Sequence, residues 1–202
     1  MNYNLTVFQE PRGVMRIIQF IFSICAFATI SGYSSMYKYM CQSKAYDAKI
    51  EYPFRISLPV SDSPTEGSSG DLSSDAQFFV ATGVLSFLYC IFIVIFYVGC
   101  DELYKKNTQI PLIDFSLTVI LAVFWLSGSA AWANGLNGLK TLVILPDSCS
   151  VVEMPSFSTL NISVILGFLN FFLWASDLWF LYKETTWFQI KQASSGPITP
   201  TV

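Results

Sequence analysis

The segment AQFFVATGVLSFLYCIFIVIFYVGC, Ala76–Cys100, contains no charged residue, and its reading decides the class of this protein. A helix rises ~1.5 Å per residue, so about 20 apolar residues cross the ~30 Å hydrocarbon core of a bilayer, and this stretch is longer than that. Three further charge-free intervals lie to either side of it, Ile17–Tyr37, Phe115–Leu139 and Met154–Ser176. Four such runs in 202 residues leave too little polar surface to cover them in water. The expected fold is therefore an all-α membrane protein, a four-transmembrane-helix bundle with spans at about 14–34, 78–99, 113–133 and 160–182.

Composition agrees and narrows the chemistry. Charged residues make up 12% of the chain, about half the roughly 25% of soluble domains. The sequence has no histidine, which excludes Ser-His-Asp triads, His-ligated zinc and imidazole proton relays. A net charge of -3 and eleven scattered Lys and Arg give no basic footprint for nucleic acid. No Walker A loop, HExxH, GxSxG elbow or dinucleotide fingerprint occurs. The sequence thus points to no enzyme, no cofactor and no metal.

Around the 14–182 four-span domain, residues 1–13 and 183–202 form a short N-terminus and a polar, disordered tail. The loops run over about 35–77 and 134–159. In the first, SDSPTEGSSGDLSSD (Ser61–Asp75) has too little apolar surface to pack and reads as mobile. Arg12, Arg16, Lys105, Lys106, Lys183 and Lys191 flank the termini and the short second connection, against Lys38, Lys44, Lys49, Arg55 and Lys140 in the long loops. The density of positive charge favours cytoplasmic termini and lumenal long loops. The first apolar run exceeds a cleavable leader's core and reads as an uncleaved anchor. Tyr33, Tyr37, Tyr39, Tyr97, Tyr104, Trp179, Tyr182 and Trp187 gather at span ends and read as interfacial anchors. Ala28, Gly32 and the run SGSAA (Ser127–Ala131) offer small faces for close helix approach.

Three ionisable residues lie in or at the edge of spans: Arg16, Asp114 and Asp177. An unpaired carboxylate as deep as Asp177 is costly, so a partner is expected. One reading pairs Arg16 with Asp177 or Asp114; the other has Arg16 snorkelling and Asp114 capping its helix. Among the five cysteines, Cys25 and Cys90 read as packing residues, and Cys100 at a cytoplasmic span end is a candidate for palmitoylation. Cys41 and Cys149, one in each long loop, form a candidate lumenal disulfide or remain two thiols. The sequons at Asn4 and Asn161 are poorly placed for glycosylation, on the cytoplasmic side and at the mouth of the fourth span.

Particular strings carry a resemblance: YPFRI (52–56), SSDAQFFVATGVLSFLYCIFIVIFYVG (73–99), PLIDF (111–115), SGSAAWANGL (127–136) and TLNISVILGFLNFFLWASDLWFLYKET (159–185). Together they resemble the synaptophysin family over nearly the whole chain. The resemblance implies a MARVEL-type four-helix membrane module with cytoplasmic termini, located in synaptic or other cytoplasmic transport vesicles. It also implies homo-oligomerisation, a cholesterol-rich membrane and a synaptobrevin-type fusion protein as partner. Three departures stand out: single cysteines rather than pairs in the two loops, no sequon in the first loop, and no long tail rich in Tyr, Gly and Gln. The function expected on this basis is non-enzymatic: organising cargo and lipid in regulated exocytosis and vesicle recycling. The alternatives are a vesicle channel or transporter, which would need polar residues lining the mid-bilayer, and a junctional adhesion protein.

Overall fold

The computed structural model describes residues 11–60, 67–99 and 109–184, with Arg12 and Glu184 described by their backbone alone. Four helices dominate: α1 (Pro11–Ser31), α2 (Ser73–Gly99), α3 (Gln109–Leu142) and α4 (Ser158–Glu184). All four are long and apolar enough to cross a membrane. Pro11 opens α1 at a position whose N–H would have no helical acceptor anyway. Asp71 precedes α2, where its Oδ1 accepts from the Ser73 hydroxyl (2.5 Å) and the Ser73 N–H (3.0 Å). Those two donors hold the Asp71 carboxyl below the usual carboxylate range.

The helices close into a ring, α1 against α2, α2 against α3, α3 against α4 and α4 against α1. The bundle has the polarity expected in hydrocarbon. Phe92, Ile95, Ile165 and Phe172 are more than 60% exposed on its outside, whereas Arg16, Gln19, Asp114, Ser129, Asn170 and Asp177 are buried. Trp125, Trp132 and Trp174 are wholly buried and fill the interior. Two of them tie helices together, Trp125 Nε1–H donating to Ser86 Oγ (2.9 Å) and Trp132 Nε1–H to Ser163 Oγ (2.8 Å). Ser163→Ala removes the acceptor and leaves the indole N–H unpaired, at an expected cost of about 0.6–2 kcal/mol in a membrane bundle. A thermal melt in detergent that matched wild type would remove this bond from the account.

Small residues admit close packing at Gly167 of α4. A Cβ there would lie 2.5 Å from Phe79 Cε2 and also against Ser129 Oγ. Ser129 belongs to the SGSAA run, so the small face of α3 is used inside the bundle. Gly167→Ala is expected to overpack this contact and to destabilise by about 1–3 kcal/mol. The same substitution at Gly99, where a Cβ would meet nothing, serves as the comparison in a paired melting experiment.

Span limits differ from the sequence reading chiefly in α3, which continues past residue 133 to Leu142. Its 34 residues extend about 50 Å, some 20 Å more than the hydrocarbon requires. The extra turns are held by packing rather than by lipid: Leu139 and Val143 are buried under the strands that cover this end of the bundle.

Those strands lie in the two segments that the sequence reads only as long loops. The helical bundle carries a β cap composed of β1 (Ser34–Cys41), β2 (Lys44–Glu51), β3 (Arg55–Pro59), β4 (Gly67–Asp71) and β5 (Cys149–Glu153). One sheet has the order β2-β1-β5 and the other pairs β3 with β4, all antiparallel. In β1, Tyr37, Tyr39 and Cys41 point inward while Met36 and Met40 are exposed, the period of two that a half-buried strand requires. Gln42 and Ser43, both with positive φ, make the two-residue turn that returns the chain into β2. The stretch read as mobile supplies β4 and the first turn of α2; only 61–66 lies outside the described residues. Composition misled because GSSGD is held by its backbone ladder to β3, not by side-chain burial. Gly67 is required there, since a Cβ would come within 2.6 Å of the Leu58 carbonyl oxygen.

The tyrosines after α1 are not interfacial anchors. Tyr33, Tyr37 and Tyr39 are buried, with hydroxyls donating to the carbonyls of Ser156 (2.9 Å), Val143 (2.8 Å) and Pro59 (2.8 Å). They lock the cap onto the α3–α4 connection and onto itself. Burial raises the Tyr37 and Tyr39 phenols above their ordinary value. Trp179, by contrast, is exposed near the end of α4, as an anchor would be. Tyr104 and Trp187 lie outside the described residues.

Candidate functional site: a buried charge cluster

Arg16 stands about one and a half turns into α1, Asp114 the same distance into α3, and Asp177 about two turns before the end of α4. The antiparallel ring brings all three to one level, at the end opposite the β cap. Neither sequence reading anticipated the arrangement in full, because the guanidinium serves both acids. Arg16 Nη2 lies 2.8 Å from Asp114 Oδ1 and Nη1 lies 3.0 Å from Asp177 Oδ2. Arg16 does not snorkel: it is wholly buried. Asp114 does not cap α3, which begins at Gln109, but directs its carboxylate into the bundle.

Five further residues complete the cluster. Arg16 also donates to Gln19 Oε1 (2.9 Å) and Thr118 Oγ1 (2.8 Å), and Gln19 Nε2 donates to Asp177 Oδ2 (3.1 Å). The hydroxyls of Tyr89 and Tyr97 on α2 donate to Oδ1 and Oδ2 of Asp114. The guanidinium carbon sits 5.2 Å from the Tyr89 ring centre and 5.3 Å from that of Trp174, within the range of a cation–π attraction. Every helix thus contributes to one polar layer. Gln19, Thr118 and Trp174 sit three or four residues from Arg16, Asp114 and Asp177, which places each on its charge's helical face. That spacing was a usable signal. Tyr97 had been assigned to the interface, and nothing in sequence marked Tyr89.

The charges of this constellation are engaged across helices, Arg16 of α1 with Asp114 of α3 and Asp177 of α4, so its geometry supports cohesion of the bundle. Among the described residues no group of three or more Cys, Asp and Glu could hold a metal ion.

At the other end, Cys41 and Cys149 are joined in a disulfide between the end of β1 and the start of β5. Cys90 is buried within the bundle, but Cys25 is exposed on the outer face of α1, which corrects its reading as a packing residue. Cys100 lies outside the described residues. Asn161 accepts from Lys140 Nζ (2.8 Å), and the Ser163 of its sequon is buried against Trp132, so the sequon is engaged in packing.

The profile of the membrane-associating MARVEL domain matches residues 8–180. The chain belongs to the MARVEL family. That match spans the first three helices, the whole β cap and α4 as far as residue 180, so the charge cluster and the disulfide lie within one MARVEL domain. The domain is membrane-associating and multi-pass. The MARVEL family is a membrane-associating one that is not known as enzymatic.

Proposed function

We propose that this MARVEL protein is a non-enzymatic vesicle membrane protein of the synaptophysin kind, organising cargo and lipid in regulated exocytosis and vesicle recycling. The observation that carries the reading is the MARVEL match over residues 8–180, combined with the family-like strings in every span. The disulfide supports a lumenal β cap, since such bonds persist in the oxidising secretory pathway, and hence cytoplasmic termini. The wholly buried Trp125, Trp132 and Trp174 support a packed scaffold over a conducting pore. Homo-oligomers, a synaptobrevin-type partner and a cholesterol-rich membrane belong to this proposal.

The test is expression of the tagged full chain in a secretory cell, with imaging followed by crosslinking in intact vesicles. Vesicular puncta and crosslinks to itself and to fusion-machinery proteins are expected. Residence at cell–cell contacts would favour adhesion, and ion flux from reconstituted protein would favour a pore.

A further inference from the structure

The two buried carboxylates do not share their hydrogen-bond donors evenly. Asp114 accepts on both oxygens, from Arg16 Nη2, the Tyr89 hydroxyl and the Tyr97 hydroxyl. Among the described residues, Asp177 accepts a hydrogen bond from Gln19 Nε2 alone, on Oδ2. Arg16 Nη1 lies close to that same oxygen, yet the hydrogen bond it donates goes to Gln19 Oε1. Among the described residues, Asp177 Oδ1 is buried with no hydrogen-bond partner. An ionised carboxylate spreads its charge over two oxygens and can accept about four hydrogen bonds, so a bare, dehydrated oxygen is among the most costly groups a protein can bury. A neutral hydroxyl in the same place costs far less.

We propose that Asp177 is a proton-binding site, holding a proton on Oδ1 at neutral pH. The cluster is then an Arg16–Asp114 ion pair beside a neutral acid, and Asp177 accepts from Gln19 through its carbonyl oxygen Oδ2. The proton comes from solvent before the bundle closes. The groups that act on Asp177 are Arg16 and Gln19 from α1, Cys90 from α2 and Asp114 from α3, while the Tyr89 and Tyr97 hydroxyls are directed at Asp114 and the Trp174 ring at Arg16. Asp114, the carboxylate among them, is already engaged by Arg16 and both tyrosines. Outside Arg16, a groove of about 350 Å³ opens between α1 and α2. It is lined by Arg16 and Cys90 together with Ile17, Phe20, Ile91, Val94 and Ile95, and its exposed surface is apolar. The assignment is independent of the proposed vesicle function. It also implies that acidification of a surrounding compartment leaves the charge of Asp177 unchanged.

The test is infrared spectroscopy of the full chain in lipid nanodiscs at neutral pH, comparing wild type with Asp177→Asn and Asp114→Asn. The expected spectrum has a protonated-carboxyl carbonyl band of one group per chain, insensitive to mild acidification. Asp177→Asn should lose the band while melting as wild type does, because an amide is neutral like the acid it replaces. Asp114→Asn should keep the band and melt lower. A wild-type spectrum without the band overturns the proposal, as does a band that survives Asp177→Asn or disappears with Asp114→Asn. Should Asp177→Asn fail to fold, Asp177→Glu provides the assignment: a band that moves supports the site, and one that stays overturns it.

Discussion

Arg16→Leu is expected to produce the largest loss of stability of any single substitution in the bundle, about 3–5 kcal/mol, because it strands a buried charge. The lost attraction is only part of that cost. Asp114 would keep its tyrosine donors but lose the cation 2.8 Å away, and Gln19 and Thr118 would each lose a hydrogen bond donated by the guanidinium. The rings of Tyr89 and Trp174 would lose the charge packed over them. Since α1 supplies Arg16 and Gln19 while α3 and α4 supply the acids, the damage should appear as loss of helix packing, not of one local contact. The measurement is the yield of monodisperse protein in mild detergent and its unfolding temperature. Wild-type yield and melting for Arg16→Leu would show that the ion pair contributes nothing net. Exchanging the residues at positions 16 and 177 should rescue only partly, because the guanidinium would then leave the helix from which it reaches Asp114 and Thr118. Replacing Arg16 and Asp114 together by leucine should recover more stability than the single change, since no strong charge remains unpaired.

The membrane class and the helical bundle were legible in the sequence because their signal is an absence of charge over 20 or more residues, which a single chain displays without reference to its neighbours. Arg16, Asp114 and Asp177 stood out for the complementary reason, as charges where apolar residues prevail. Their grouping was only half legible. Helical spacing marks Gln19 and Thr118 as lying on the faces of Arg16 and Asp114, but which faces meet depends on how four helices close into a ring. The β cap was missed for a different reason. Tyr37 and Tyr39 carry the aromatic signature of an interfacial belt equally well as the alternation of a strand, and their place next to a span made the belt reading the simpler one. β4 has no apolar residue to mark it, since its order comes from pairing with β3 and from the close approach at Gly67. Backbone ladders between short polar strands leave almost no trace in composition.

Replacing Cys41 and Cys149 together by serine is expected to destabilise the β cap while leaving the helices inserted. The bond joins residues 108 apart in sequence; in a free chain the loop-entropy argument would assign such a crosslink about 4.7 kcal/mol. Most of that does not apply, because the unfolded reference is itself confined once four helices sit in a bilayer, and about 2 kcal/mol is a fairer expectation. The loss should be local. β5 is a five-residue edge strand whose register with β1 shifts between Lys38 and Tyr39. Its other tie across the pair, Lys38 to Glu153, is a half-exposed ion pair of the kind worth at most about 1 kcal/mol. Without the disulfide, β5 should therefore detach first, followed by the α3–α4 connection that Tyr33 and Tyr37 hold through the carbonyls of Ser156 and Val143. Hydrogen exchange measured by mass spectrometry should show faster exchange over residues 144–157 with little change in α2 or in the charged layer at the far end. Uniform acceleration across all four helices would mean that cap and bundle unfold as one unit, and unchanged exchange in β5 would mean that backbone pairing alone retains the strand.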